Sequence, residues 1–137
     1  FKDNVKEWIL KSTNKNIQKF KLIDSWIVRQ FENEYNPLHS HGGHVSGVGY
    51  LKVPEDYGKT IQDNKNQNFN GKLQLVYGSK SFLSEDAVNI KPQIGDFYFF
   101  PHYLEHCVYP FQNKSAERRS ISFNAMIDDD IYDVHGQ

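Results

Sequence analysis

The stretch Asn36-Pro-Leu-His-Ser-His-Gly-Gly-His44, which runs directly into Val45-Ser-Gly-Val-Gly-Tyr-Leu51, decides how the rest of the sequence is interpreted. It holds three of the six histidines of the chain, His39, His41 and His44. In an extended segment His39 and His41 point to one face, because side chains alternate along a strand. Two imidazoles side by side form two corners of a metal site if a third ligand arrives from elsewhere.

A third imidazole is available in the downstream segment Gly95-Asp-Phe-Tyr-Phe-Phe-Pro-His-Tyr-Leu-Glu-His106-Cys-Val-Tyr-Pro110. We take His106 as that ligand. The next polar pattern is Arg118-Arg-Ser-Ile-Ser-Phe-Asn124, which alternates like a strand. Its even-numbered positions share one face, and they carry Arg118, Ser120, Ser122 and Asn124.

Composition indicates one aromatic-rich β domain that spans residues 1–137. The chain has 10 Phe, 8 Tyr and 2 Trp, and rings favour the pleated, half-buried surfaces of sheets. Apolar stretches between turn residues predict strands at 20–31, 45–53, 71–77, 88–94, 96–100, 106–111 and 118–127. A short helix is expected at 3–13 with Asp3 as its N-cap, since Val5, Trp8 and Ile9 follow helical spacing.

Two polar segments lie outside these elements. Residues 54–70 lack periodicity and predict a long surface loop, a candidate lid over a site. The acidic segment that begins at Asp128 is interpreted as a solvated terminus.

Charge and cysteine content exclude several classes of protein. With a net charge of −1 and a pI of about 6.6, the chain has no basic footprint for nucleic acid or an anionic membrane. No apolar run approaches the roughly 20 residues of a membrane span. The single cysteine, Cys107, excludes an internal disulfide and fits a reducing compartment, so a cytoplasmic location is the expectation. The chain starts at Phe1 without an initiator Met, and an upstream targeting segment stays an open alternative.

Taken in order, these parts resemble the Fe(II)/2-oxoglutarate-dependent oxygenases, and especially small members with H-x-H followed by S-G-V-x-Y-L. The resemblance runs from about Trp26 to Asn124. It rests on the histidine pair, Ser46-Gly-Val-Gly-Tyr-Leu51, the Gly-Asp…Phe-Pro…His-x-Val-x-Pro segment, and Arg-x-Ser. It implies a mainly β fold, a double-stranded β-helix (jelly roll) with a short N-terminal helix.

The resemblance also implies a set of Fe(II) ligands. Such enzymes hold iron with two histidines and one carboxylate. His39 matches the first family ligand and His106 the last, whereas His41 stands at the carboxylate position. The site is therefore either three-histidine, or a nearby acid such as Glu34 supplies the carboxylate. His44 is a second-ranked alternative to His41, and His102 and His135 are assigned ordinary hydrogen-bonding roles.

The expected anchor for the distal carboxylate of 2-oxoglutarate is Arg118, because a guanidinium fits a carboxylate bidentately. Ser120 completes the family's Arg-x-Ser pattern on the same face, and Tyr50 matches a position where relatives place a hydroxyl on that carboxylate. Arg119 begins the same pattern one residue later, and a shift of one residue would reverse every side chain.

The implied reaction is hydroxylation of an unknown small-molecule or protein substrate, coupled to decarboxylation of 2-oxoglutarate to succinate. Nucleic acid and membrane partners are not expected, and the oligomeric state is left open. Three alternatives stay open as well. They are a cupin-like metal protein with dioxygenase or isomerase activity, a three-histidine zinc hydrolase, and an oxygenase fold kept only for structure.

Overall fold

The computed structural model describes residues 1–60 and 64–132 of the chain. Two antiparallel four-stranded sheets form the molecule, and a helix stands at each end of the described chain. The elements are α1 (Lys2–Thr13), β1 (Phe20–Gln30), β2 (Asn36–His39), β3 (Val45–Lys52), β4 (Leu73–Val76), β5 (Ala87–Ile90), β6 (Phe97–Pro101), β7 (Glu105–Val108), β8 (Arg118–Ile127) and α2 (Asp129–Tyr132).

The strand order is that of a jelly roll. The first sheet runs β1-β8-β3-β6 and the second runs β2-β7-β4-β5, so the chain crosses repeatedly from one sheet to the other. Strands far apart in sequence therefore become neighbours, as β1 and β8 do along their whole length. The predicted mainly β, double-stranded β-helix with a short N-terminal helix is confirmed. Among the described residues, no helix is long and apolar enough to span a bilayer.

The two faces of the first sheet have different partners. One face packs against α1 and carries Val45, Phe123 and Ala125 together with the helix residues Val5 and Ile9. The opposite face turns toward the second sheet, where Val48, Tyr50 and Phe100 meet Leu73 and Val108. Alternation along β3, β6 and β8 produces this division, because successive side chains leave a strand on opposite sides.

Gly47 and Gly49 in β3 lie under aromatic rings. A Cβ at Gly47 would stand 2.4 Å from the ring of Phe123, and one at Gly49 would stand 2.3 Å from that of Phe97. Both rings pack on the α1 side of the sheet. These glycines therefore admit aromatic rings close to the backbone of β3.

The start of the second sheet differs from the sequence expectation. No strand was predicted between 31 and 45, yet β2 begins at Asn36 and forms the edge of the second sheet beside β7. Proline is tolerated on an edge strand, which explains how Pro37 lies inside β2. At the N-terminus, Phe1 takes the N-cap position of α1 without a side-chain hydrogen bond, so the prediction of Asp3 as the cap is wrong.

The acidic segment is not a solvated terminus over its first residues. Asp128 is buried, and its carboxylate accepts the backbone N–H groups of Gln18 and Lys19, each at 2.8 Å. These hydrogen bonds hold the pKa of Asp128 below its ordinary value. Ile131 in α2 then joins the core beneath α1. The prediction is wrong for Asp128 and Ile131, which are buried, whereas Asp129 and Asp130 are exposed. Residues 133–137, which include His135, lie outside the described residues.

The polar loop also departs from the expected lid. Asn70 donates hydrogen bonds to the carbonyls of Tyr57, Gly58 and Lys59, which folds the described parts of the loop back on themselves. Tyr57 is buried and packs edge-on against Phe111. Within 54–60 and 64–70, no residue lines the cavity between the two sheets.

Candidate functional site

Three imidazoles converge at one end of the space between the sheets. His39 ends β2 and is paired in register with His106 of β7, while His41 follows two residues after His39. One potential ligand atom from each residue lies within 4.8 Å of the other two. The Nε2 atoms of His41 and His106 are 3.1 Å apart. Among the residues that the structure describes, this is the one group of three or more potential metal ligands.

Backbone carbonyls fix the outer nitrogens of two of these rings. His39 donates from Nδ1 to the carbonyl of Pro37 at 2.6 Å, and His106 donates from Nδ1 to that of Leu104 at 2.9 Å. A neutral imidazole that donates from Nδ1 keeps its lone pair on Nε2. Metal-ligating histidines are commonly oriented by such hydrogen bonds. Both Nε2 atoms are thus prepared to bind a metal ion.

Two of the rings, those of His41 and His106, are held in the neutral form that a metal requires. Burial lowers the pKa of His41 to about 4, with further lowering by His106, His39 and His102. Burial also lowers the pKa of His106, against the opposing effect of the Leu104 carbonyl. At neutral pH His41 and His106 therefore each keep a nitrogen lone pair that is free of a proton and available to a metal ion.

The two alternative ligands lie apart from this group. His44 is buried, its Nδ1 accepts the backbone N–H of Ile127 at 3.2 Å, and its ring stacks on Tyr132. Glu34 lines the same cavity but is exposed, and its Oε2 accepts the N–H of Phe31 at 2.8 Å. The geometry therefore favours three imidazoles over a histidine–carboxylate set.

A cavity of about 520 Å³ extends from the imidazoles along the inner face of the first sheet. The ladder places Trp26, Val28 and Gln30 of β1 opposite Ser122, Ser120 and Arg118 of β8. The cavity is lined by those six residues and by Val48, Leu73, Phe100, Val108 and the three histidines, with Arg29, Glu34, Tyr35, Asn36 and the backbone of Gly47.

Arg118 is the buried cation of this cavity. It is 2% exposed, its Nη2 donates to the hydroxyl of Tyr50 at 3.3 Å, and its guanidinium lies 4.9 Å from that ring. Its Nε is buried without a hydrogen-bond partner, and none of the described carboxylates forms an ion pair with it. Because a buried unpaired charge costs free energy, this guanidinium fits an anionic ligand.

Arg119 faces away from the cavity. Its Nε and Nη2 contact the carboxylate of Glu117 at 2.8 and 2.9 Å, and its side chain is 40% exposed. The strand register therefore puts the guanidinium of Arg118, not that of Arg119, on the inner face. Ser120 shares this face and is paired with Tyr50 across the ladder.

Gln30 is a cavity residue that sequence reasoning missed. It is buried directly opposite Arg118, and its Nε2 donates to the carbonyls of Glu34 at 2.7 Å and Tyr109 at 3.1 Å. These two acceptors fix the amide, and its Oε1 is left buried without a partner. The available signal was the alternation of Trp26, Val28 and Gln30, which puts a polar side chain on a buried face.

Cys107 and Gln74 lie on the other side of the second sheet. The Cys107 thiol contacts Oε1 of Gln74 at 3.8 Å, and Gln74 donates to Asn89 at 2.9 Å. Burial raises the pKa of the Cys107 thiol, which keeps it protonated and a poor nucleophile.

The residues around this cavity can bind two different ligands, a metal ion and an anion. The three imidazoles offer three nitrogen donors, which suit Fe(II), Zn(II) and neighbouring divalent ions. Arg118, whose Nε is unpaired, lines the cavity and offers a donor to a carboxylate. The Tyr50 hydroxyl lies behind it, within hydrogen-bond distance of the guanidinium but not among the lining residues. The described residues therefore fit a transition metal together with an organic acid.

Comparison with known proteins agrees with this chemistry. A family model described as "Putative 2OG-Fe(II) oxygenase" matches residues 24–124. A search of curated proteins gives no match.

Several solved structures share the fold at low sequence identity. A 2OG-Fe(II) oxygenase family oxidoreductase from Burkholderia pseudomallei has a TM-score of 0.63 and 12% identity, over 88% of this chain and 49% of its own. A prolyl-4-hydroxylase from Pseudomonas putida has a TM-score of 0.55 and 17% identity, over 93% and 64%. HygX from Streptomyces hygroscopicus, solved with nickel and 2-oxoglutarate, has a TM-score of 0.56 and 11% identity, over 91% and 65%. The chain thus spans about half of the first and less than two thirds of the other two.

Proposed function

Since this chain belongs to the 2OG-Fe(II) oxygenase family, we propose that it is a 2-oxoglutarate-dependent Fe(II) dioxygenase. It hydroxylates a substrate that is still to be identified and decarboxylates 2-oxoglutarate to succinate. The observation that carries this proposal is the placement of a cluster of three imidazoles and a buried, incompletely paired arginine in one cavity.

His39, His41 and His106 would hold the metal, since one potential ligand atom of each lies within 4.8 Å of the other two. When bound, Fe(II) supplies the oxygen chemistry that couples decarboxylation of the keto acid to oxidation of the substrate. The protein orients the reactants and keeps water from the reacting atoms. Val48, Leu73 and Phe100 provide the apolar wall for that purpose.

Arg118 binds the distal carboxylate of 2-oxoglutarate, and Tyr50 assists. Burial raises the pKa of Tyr50 to about 12, although Arg118 opposes the shift, so its hydroxyl remains a donor at neutral pH. A guanidinium and a hydroxyl then satisfy a carboxylate from two directions. Ser120 lies beside them on the same face of the sheet.

The three-imidazole set changes the charge at the metal. A neutral imidazole in place of a carboxylate leaves the Fe(II) centre one unit more positive, and a dianionic cosubstrate is attracted more strongly by Coulomb's law. Primary substrates compatible with the cavity are a small molecule or a protein side chain. The net charge of −1 disfavours nucleic acid.

A metal and cosubstrate titration tests the proposal. The protein is reconstituted anaerobically with Fe(II), and 2-oxoglutarate is then added while the visible spectrum is recorded. We expect a weak charge-transfer band that saturates with 2-oxoglutarate, and succinate formation after oxygen is admitted. A protein that takes up Zn(II) but gives neither signal would instead be a three-histidine zinc enzyme, whose bound water is acidified to about neutral pH.

Two neighbouring arginines provide a matched pair of variants. Arg118→Ala should weaken 2-oxoglutarate binding by about 30-fold or more, because removal of a buried charged partner costs about 2 to 5 kcal/mol. Metal binding should persist in this variant. Arg119→Ala, on the opposite face, should leave both titrations close to wild type. The reverse pattern would contradict the assignment of Arg118.

A further inference from the structure

We propose that His102 and Tyr132 form a latch that holds the loop of residues 40–44, which carries His41, in position. Through this latch, helix α2 tunes the affinity of the site for metal. This inference rests on the metal-binding part of the proposed function. Neither residue is offered as a metal ligand. Both act through the backbone on which His41 is mounted.

The loop cannot fix the position of His41 by itself. His41 lies beyond the end of β2, and the two residues that follow it are glycines. A Cβ at Gly42 would meet no atom within 4 Å, so nothing packs closely there. Gly43 adopts a φ of +91° and lies against Ile23 and the Ala125 carbonyl, contacts that restrain the end of the loop next to β3. Glycines give a loop more conformational freedom than other residues do. An external constraint on the His41 backbone is therefore needed if its imidazole is to be held ready for a metal.

His102 supplies this constraint through three hydrogen bonds. The N–H of His41 donates to the carbonyl of His102 at 3.0 Å, and Nδ1 of His102 donates back to the carbonyl of His41 at 2.8 Å. The N–H of His102 also donates to the carbonyl of His44 at 3.1 Å. Both backbone groups of His41 are thus satisfied by one residue, and the other end of the loop is held by the same residue.

Tyr132 of α2 completes the arrangement. Because Nδ1 of His102 carries the hydrogen, its Nε2 is an acceptor, and the hydroxyl of Tyr132 donates to it. Only this tautomer of His102 satisfies both partners, so the ring cannot turn over without the loss of both bonds. The ring of Tyr132 also stacks on that of His44, with 4.0 Å between centroids. One tyrosine therefore contacts both ends of the loop, through His102 and through His44.

Helix α2 is in turn attached to the body of the protein. The N–H groups of Ile131 and Tyr132 both donate to the carbonyl of Asp128 at 3.1 Å. The Asp128 carboxylate binds the chain just before β1, and Ile131 is buried beneath α1. A displacement of α2 would consequently release Tyr132 and loosen the loop without touching a metal ligand.

The test compares Tyr132→Phe with Tyr103→Phe in the intact chain. Tyr132→Phe removes one hydroxyl and keeps the ring stacked on His44. Tyr103 is a matched control, because its exposed ring also contacts His102. Co(II) serves as the probe, since its dissociation constant is measured by titration and its visible spectrum reports ligand geometry.

We expect Tyr132→Phe to weaken Co(II) binding about tenfold, the lower end of the range for residues that support metal ligands from outside. The Co(II) spectrum should change, and His102→Ala should have at least as large an effect. Tyr103→Phe should match wild type. The rise in melting temperature on addition of Co(II) should shrink in Tyr132→Phe, whereas a purely structural role would lower metal-free and metal-bound melting temperatures equally.

Two results would overturn the inference, and they are distinguishable. A Tyr132→Phe protein with the wild-type dissociation constant and spectrum removes the latch and leaves the proposed function in place. A wild-type protein that binds no Co(II) removes the proposed function and the latch together.

Discussion

At the scale of single residues, the proposed binding of 2-oxoglutarate depends on the pair of Arg118 and Tyr50. The hydrogen bond between them is 3.3 Å long, and the guanidinium lies over the phenol ring. Such a contact orients a flexible cation before a ligand arrives, which reduces the conformational entropy lost on binding. Gln30, fixed opposite Arg118, brings a buried carbonyl oxygen to the same place.

Removal of the Tyr50 hydroxyl tests this orientation. Tyr50→Phe should weaken 2-oxoglutarate binding by about 0.5 to 1.5 kcal/mol, roughly 2- to 12-fold, because one hydrogen bond is lost. Isothermal titration calorimetry of the metal-loaded protein with 2-oxoglutarate measures this change in binding free energy. Tyr98→Phe is the control, since the Tyr98 ring touches Tyr50 while its hydroxyl donates to Asp96. Equal affinities for Tyr50→Phe and wild type would show that Arg118 needs no help.

At the scale of elements, β3 depends on having no side chain at two positions. The Phe123 ring occupies the space where a Cβ of Gly47 would stand, at 2.4 Å. The ring is almost completely buried between β3 and α1, so it cannot move outward.

Gly47→Ala should therefore destabilise the protein by about 1 to 3 kcal/mol, the usual cost of an extra methyl group in a packed core. Urea denaturation gives the value. Gly42→Ala is the control, because its Cβ would meet open space. A Gly47→Ala protein as stable as Gly42→Ala would mean that β3 and Phe123 can separate at little cost.

Three strands of the first sheet share one carboxylate. Glu117, at the start of β8, contacts Arg119, Arg29 of β1 at 2.6 Å, and Lys52 of β3 at 3.3 Å. The hydrogen bonds of Arg119 and then Arg29 lower the pKa of Glu117 from 4.5 to about 2. Its pKa is thus lower in the folded chain than in the unfolded one, so ionisation of Glu117 favours folding.

That contribution should be complete above about pH 4.5 and should disappear as the pH falls toward 2. Denaturation at several pH values should therefore reveal a fall in stability over this window, and the fall should be smaller in Glu117→Gln. Glu85→Gln, which removes an exposed ion pair with Lys80 on the second sheet, should retain the wild-type slope. Parallel curves for wild type and Glu117→Gln would contradict this role.

The same elements mark the limit of what the sequence allowed. The long strands β1, β3 and β8 were predictable, because apolar and aromatic residues recur along each of them. β2 was missed because a four-residue edge strand with a proline carries no period of its own. For β8, the sequence alone does not show whether Arg118 or Arg119 points to the inner face of the sheet. Only the pairing with β1 and β3 distinguishes them, and that pairing is not a local property.

At the scale of the whole molecule, the proposed ligands would connect the two sheets. The metal ligands belong to the second sheet or the loop after β2, whereas Arg118 belongs to the first sheet. The fold class followed from composition and family resemblance. The position of α2 did not follow, because the binding of Asp128 to the turn before β1 joins parts of the chain that are remote in sequence.

Thermal unfolding should reflect this connection. A ligand at 100 times its dissociation constant stabilises the folded state by about 2.7 kcal/mol, so Fe(II) and then 2-oxoglutarate under anaerobic conditions should each raise the melting temperature. Arg118→Ala should retain the first rise and lose most of the second. If the second rise survives in that variant, 2-oxoglutarate is held elsewhere.

The thiol on the outer face of the second sheet is a natural probe of motion in that sheet. Cys107 is the single cysteine of the chain and is 3% exposed, next in sequence to His106. Tyr35 and Gln74 contact this thiol, so an alkylating reagent can reach its sulfur only when those side chains or β7 itself move. The labelling rate therefore reports on motion at β7, the strand that carries His106. A metal ion bound through His106 should lower this rate.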